Sequence, residues 1–297
     1  MAVRITRHSK NSLVVESPVM NAAGTLGFGD EYRDLLDLDT LGAFVTNPLT
    51  YTHWNPATGT RVVPLDAGVL VHTGLPNPGL KKVIEQHRGV WERMSIPVIA
   101  HVVVNNVDEV QRCMSMLERE ESISAIEMGL SDEISPAETE WYLRAAVERL
   151  EKPLLARLPF SASIDHFKAA IDAGADALVF CSPPRGTARD QAGRLVAGRI
   201  YGPLVKPIVL RMVGQLARRF PEIPLIGAGG IHTPQDARDF LEAGAVAVQV
   251  DSVTWVNPKM LEMIARDLGG SQLTQPNAPI DSLLDDTPPH QLPKKQN

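Results

Sequence analysis

The sequence predicts a closed (β/α)8 barrel of the TIM type, and three observations carry that expectation. One unit recurs along the chain: a short apolar run, a polar or glycine-bearing loop, then an amphipathic stretch of helical period. Strands alternating with helices in this way build parallel sheets. Eight such runs fit within 297 residues, the size of one barrel rather than an open doubly wound sheet. No G-x-G-x-x-G follows the first run, which a dinucleotide-binding open sheet would need.

Taken in order, residues 3–6 and 13–15 flank a polar turn containing Asn11 and read as a small β-hairpin that plugs the lower end of the barrel. Barrel strands are expected at 17–21, 43–46, 98–103, 125–128, 154–158, 177–181, 225–227 and 247–250. Each is short and apolar, the pattern of a strand covered on both faces. Helices are expected at 80–94, 107–120, 136–150, 164–173, 204–220, 234–243 and 259–267. Two of them run into Ala-Gly-Ala, at 173–175 and 243–245, where glycine suits a left-handed C-cap. The barrel domain is assigned to residues 1–268. Residues 269–297 are rich in Pro, Gln, Asn, Asp and Lys without periodicity, and are expected to form a disordered tail with no chemistry.

Composition narrows the function classes. An apolar content of 44% is ample for one large core, and a net charge of −6 argues against a nucleic-acid surface. Two cysteines, Cys113 and Cys181, cannot build a disulfide framework, so a reducing cytoplasm is the expected location. No signal-peptide core and no membrane-spanning apolar run is present. The expected partner is a small-molecule substrate.

The most informative stretch runs from Ile223 to Ala237. A buried strand ends in Gly227-Ala228-Gly229-Gly230, followed by Thr233 as N-cap, Pro234 at the first helical position and Asp236 in the first turn. Glycines at such a strand end let backbone N–H groups approach an anion, and barrel loops after the last strands often hold phosphate. A tight packing turn that binds nothing is the alternative reading. Residues 48–66 and 183–201 read as long loops at strand ends, where a barrel places its active site. The second carries Arg185, Arg189 and Arg194, which read either as a lid clamping an anion or as solvated charges. Asp132 and Glu133 read either as an acid/base pair or as helix-start carboxylates. His72 and His101 lie on or after strands and could face the pocket. Cys181 reads as a buried small residue rather than a nucleophile.

Four segments together resemble one family. Ser17-Pro18-Val19-Met20-Asn21-Ala22-Ala23-Gly24-Thr25-Leu26-Gly27 is similar to the opening motif of the dihydroorotate dehydrogenases. Gly74-Leu75-Pro76-Asn77-Pro78-Gly79 matches their G-L-x-N-x-G segment, and Tyr201-Gly202-Pro203-Leu204-Val205-Lys206-Pro207 resembles S-G-x-x-I-K-P. Gly227 to Ile231, with Ala243-Gly244-Ala245 and Val248-Gln249-Val250, resembles the phosphate-binding end. The resemblance implies an FMN-binding barrel of class 1 type that oxidises dihydroorotate to orotate in pyrimidine biosynthesis. It implies Ala23 and Gly24 under the flavin, Gly229 and Gly230 on its phosphate with Gly202 and Ser252 nearby, and Asn77 on the substrate. It also implies a homodimer.

Several matching positions depart from the family pattern. Asn47 replaces a lysine, Val71 an asparagine, and Arg157 the lysine near flavin N1 and O2. Ser182 and His101 replace asparagines, and Asp251 stands where a glycine is usual beside the phosphate. The family's N-x-S-C-P-N motif corresponds to Gly129-Leu130-Ser131-Asp132-Glu133-Ile134. Asp132 therefore takes the position of the base, with Ser131 the other candidate for proton transfer. Glycine and isoleucine replace two asparagines that match the substrate's polar groups. Each polar group left unpaired costs about 1–3 kcal/mol. These changes imply either an altered substrate or a catalytically inactive barrel kept for ligand binding or regulation.

Overall fold

The computed structural model describes residues 2–7 and 11–269. An antiparallel hairpin, β1 (Val3–Arg4) and β2 (Val14–Val15), opens the chain. Strands β3 (Val19–Asn21) and β4 (Phe44–Val45) begin the barrel. Then come β5 (Val62–Leu65) and β6 (Gly68–Val71), a second hairpin. Strands β7 (Val98–Val103), β8 (Ala125–Gly129), β9 (Leu154–Leu158) and β10 (Ala177–Phe180) continue the barrel. A third hairpin, β11 (Arg185–Arg189) and β12 (Leu195–Tyr201), follows. Strands β13 (Leu225–Ala228) and β14 (Ala247–Val250) complete the barrel.

The eight barrel strands pair in parallel in the order β3-β14-β13-β10-β9-β8-β7-β4. Between β3 and β4 the ladder is thin. It is closed by a single bridge, Met20 to Ala43, and by Asn21. The Asn21 side chain donates to the Val45 carbonyl at 2.7 Å and accepts from the Val45 amide at 2.9 Å. One asparagine thus stands in for a missing rung, in keeping with the demand that buried backbone groups be paired.

The helices are α1 (Leu80–Trp91), α2 (Val107–Glu118), α3 (Pro136–Val147), α4 (Ile164–Asp172), α5 (Lys206–Arg219), α6 (Pro234–Glu242), a short α7 (Val253–Val256) and α8 (Pro258–Gly269). Most expected spans run one to three residues past the observed C-termini, where the chain already turns toward the next strand. Starts are set by caps. Ser135 with Glu138, and Thr233 with Asp236, form reciprocal capping boxes. The expected tail lies outside the described residues apart from Gly269, the last residue of α8. Among the described residues no helix is long and apolar enough to cross a membrane.

The two expected long loops contain strands: residues 48–61 are irregular but 62–65 form β5, and most of 183–201 forms β11 and β12. β5–β6 and β11–β12 join into one four-stranded antiparallel sheet, β11-β12-β6-β5. The runs Val62-Val63-Pro64-Leu65 and Gly68-Val69-Leu70-Val71 around the two-residue turn Asp66-Ala67 carried a hairpin pattern.

Alternation along the barrel strands sorts side chains inward and outward. Ile5, Leu13 and Val15 of the N-terminal segment pack with the inward-facing Met20, Val45, Ile99, Ala125, Leu155, Val179, Ile226 and Ala247. The Arg7 amide also bonds the Asp176 carbonyl just before β10. The hairpin therefore closes the amino end of the barrel, as expected. Two residues further along four of these strands, the inward positions are His101, Glu127, Arg157 and Gln249, all buried.

Candidate active site at the carboxyl end of the barrel

Those four side chains form one network. His101 Nδ1 lies 2.7 Å from Glu127 Oε1, and the Arg157 Nη1 group is 3.3 Å from the same oxygen. The Gln249 amide donates to Glu127 Oε2 at 2.5 Å, and Arg157 Nη1 also donates to the Gln249 carbonyl oxygen. Arg157 Nη2 donates to the Cys181 carbonyl at 3.0 Å. Glu127 is 0% exposed. Burial pushes its carboxyl up, but Arg157, His101 and Gln249 outweigh this and hold it at about 2. It is a buried, ionised group.

Two atoms of the network remain available. Among the described residues His101 Nε2 and Arg157 Nε have no hydrogen-bond partner. No fully buried side-chain nitrogen or oxygen there lacks one, so both must be reached by solvent. Gly129 explains the space at His101: a Cβ on it would stand 2.9 Å from Nε2. The histidine ring fills the start of the room that a side chain at 129 would take.

The proton-transfer candidates sit on the loop after β8. Asp132 is held from two sides. Arg199 Nη1 donates to Oδ1 at 2.7 Å and its Nη2 lies 2.6 Å from Oδ2, while Arg185 Nε donates to Oδ2 at 2.9 Å. Both guanidiniums come from the β11–β12 hairpin, which Asp132 thereby anchors over the barrel. Ser131 is exposed and accepts from the Glu133 amide at 3.3 Å. Of the other arginines expected in a lid, Arg189 donates to the Gly193 carbonyl and Arg194 to Asp190. His72 is exposed. Asn77 turns its oxygen to the Gly79 amide at 2.9 Å and the Thr50 hydroxyl at 3.0 Å, and its nitrogen to the Leu75 carbonyl at 3.0 Å. Its visible role is to pin the segment before α1. Cys181 is buried and its thiol is pushed up to about 12 by that burial, so it is a packing residue.

The remaining candidates follow the ends of β3, β4, β10, β12, β13 and β14. Ala23 and Gly24 follow β3, where Gly24 has φ +88° and only Pro48 near a built Cβ. Asn47 pairs with Gly27 through its backbone and side chain. Ser182 follows Cys181 and bonds the Leu158 carbonyl. Gly230 (φ +71°) packs against Gly202 and Lys206: a Cβ there would lie 2.5 Å from the Lys206 nitrogen. Packing alone therefore requires glycine at 230. The amides tell more. Gly229 and Gly230 are buried, with φ of +131° and +71°, and among the described residues no loop carbonyl or side chain accepts from the Gly230 amide. A free backbone amide in a glycine turn just ahead of a helix start fits an anionic ligand. His232 Nε2 to Ser252 Oγ, 3.0 Å, ties this loop to the end of β14.

Sequence reasoning missed Glu127, Gln249, Arg199 and His232. A signal existed for the first two. Each is a lone polar residue within an apolar strand, two positions after an inward alanine.

The sequence model of the dihydroorotate dehydrogenase family matches residues 10–271. The catalytic subunit of dihydroorotate dehydrogenase B (NAD(+)) from Citrifermentans bemidjiense is 32% identical over 274 residues, covering 86% of this chain and 88% of that protein. Its counterpart from Desulforudis audaxviator is 34% identical over 278 residues, 86% of this chain and 89% of that one. The one from Trichlorobacter lovleyi is 33% identical over 296 residues, 92% and 95%. With a barrel of the expected order and a matching model over most of its length, the chain belongs to the dihydroorotate dehydrogenase family.

Proposed function

We propose that this chain is an FMN-dependent oxidoreductase acting on a CH–CH bond, with a substrate pocket altered from that of the dihydroorotate dehydrogenases. The observation that carries the reading is the buried glycine turn at the end of β13, Gly229 and Gly230, whose Gly230 amide has no acceptor among the described residues, beside Gly202 and Ser252. Those groups would hold the FMN phosphate, and Ala23, Gly24, Asn47 and Ser182 would border the ring. Arg157 would present its open Nε to the ring's acceptor edge, with Glu127 and Gln249 fixing its orientation. FMN, when bound, supplies the acceptor for a hydride from the substrate carbon.

The chain's own residues must take the accompanying proton. Asp132 and Ser131 are the loop candidates, and Asp132 can serve only if Arg199 and Arg185 release it. His101 offers a second route. Its Nδ1 is held by Glu127, as carboxylates orient catalytic imidazoles, and its Nε2 is open. Asn77 is carried as a substrate contact, and residues 1–268 as one barrel domain followed by a tail. Cytoplasmic location and assembly as a homodimer remain part of the same proposal. Sedimentation of the purified chain separates a dimer from a monomer.

The double ion pair on Asp132 favours a second reading, a barrel that binds ligand without turnover. One experiment separates the two. Purified protein that carries flavin absorbance, bleached anaerobically by dihydroorotate, supports the family reaction. Flavin that dihydroorotate does not reduce points to another substrate or to the inactive barrel. Protein that cannot be loaded with FMN contradicts both.

A further inference from the structure

At the end of β14 a carboxylate already occupies the groups that a phosphate would use. Asp251 is 4% exposed. Its Oδ1 accepts from the Ser252 amide at 2.5 Å and from the Ser252 hydroxyl at 3.1 Å. The same hydroxyl lies 3.0 Å from His232 Nε2, on the segment that follows Gly229 and Gly230. So the two loops that face each other at this corner differ. One presents the Gly230 amide, from which nothing among the described residues accepts, while the other has its amide and hydroxyl filled by its own side chain. The charged or titratable groups that interact with it include His232, Arg157, Tyr201 and Cys181. Burial pushes the Asp251 carboxyl up, against the Ser252 bonds and the influence of His232 and Arg157. The Tyr201 hydroxyl is pushed up to about 12 by burial and by Asp251 itself.

We propose that Asp251 is a resident anion that competes with a ligand phosphate for Ser252, and so sets how strongly this barrel prefers a phosphorylated flavin over an unphosphorylated one. This rests on the flavin reading above. A phosphate arriving at Gly229 and Gly230 meets a like charge in a poorly solvated corner and finds the Ser252 donors taken. For the phosphate to gain those donors, Asp251 must swing away or take up a proton. The riboflavin part of the ligand makes no such demand.

The test is a pair of titrations, FMN and riboflavin, followed by quenching of flavin fluorescence, on wild type, Asp251→Gly and Asp251→Asn. We expect Asp251→Gly to bind FMN at least about tenfold more tightly than wild type, the scale of one charge-assisted hydrogen bond regained, with riboflavin affinity unchanged. Asp251→Asn removes the charge but keeps the acceptor, so its FMN affinity should fall between the two. This nearly isosteric variant also serves if the glycine loosens the loop. Equal FMN affinity in all three proteins overturns the proposal and leaves the flavin reading intact. Equal tightening of FMN and riboflavin also overturns it, because Asp251 would then act on the ring. Absence of any flavin binding in wild type and both variants overturns the flavin reading, and this proposal with it.

Discussion

The lower and upper halves of the barrel interior are built by the same strands two residues apart, yet they obey different rules. Ile99, Ala125, Leu155 and Ala247 form an apolar layer under which Ile5, Leu13 and Val15 are sealed. His101, Glu127, Arg157 and Gln249, each two positions on, form a buried charged layer. The lower layer gains stability from burial alone. The upper one spends desolvation energy that an apolar layer would not. A barrel that needed only to fold would have continued the first pattern upward. The lesson matches the general rule that the carboxyl end of such a barrel serves chemistry and the amino end serves stability.

The largest expected effect breaks the upper layer at one point. Glu127→Ala leaves Arg157 without its counter-charge and His101 without its carboxylate partner, and should cost about 3–5 kcal/mol in chemical denaturation. Replacing all four polar residues by apolar ones of similar volume should restore stability to near or above wild type while abolishing flavin binding. A large stability loss in that quadruple variant would mean the charged layer is itself structural. In the lower layer, Leu155→Ala should cost about 2–5 kcal/mol through the cavity it leaves, with flavin affinity unchanged in the folded fraction.

Acid sharpens the contrast. Glu127 has an ordinary value of 4.5 and is held at about 2 in the fold, so its stabilisation is complete above pH 4.5 and fades as pH falls toward 2. Glu120, Asp236 and Glu262 are also lowered by ion pairs. The loss in wild type is therefore a sum, and the difference between wild type and Glu127→Gln isolates the upper layer. That difference should shrink steadily through this window. A difference independent of pH would show that Glu127 is not ionised in the fold.

Smaller effects are expected at the seam and at the rim. Asn21→Ala leaves the Val45 amide and carbonyl without partners and should cost about 1–3 kcal/mol, read from thermal unfolding. Arg199→Ala removes a partly exposed ion pair and should change stability by at most about 1 kcal/mol. If Asp132 is the working base, the same change should alter the pH profile of flavin reduction. If His101 is, His101→Asn should alter it instead.

How far the sequence carried depends on which forces act locally. Strand and helix order followed from periodicity, and the helix start at Thr233 from capping chemistry, because both are encoded within a few residues. The β5–β6 hairpin went unread although Asp66-Ala67 sits between two apolar runs, because the expectation of an active-site loop outweighed the turn signal. Ion pairs between distant segments lie beyond such reading. Nothing near Asp132 announces Arg199, which only the pairing of β12 with β6 brings into place. The tying of Asn77 to Thr50 is of the same kind.

The claim on which the account turns is that the backbone at Gly229 and Gly230 grips a phosphate. Phosphorus NMR of FMN titrated with the purified protein tests it without any turnover. The phosphate resonance should move and broaden as protein is added, saturating at one flavin per chain. A phosphate signal that stays at its free position while the flavin ring is bound would contradict it.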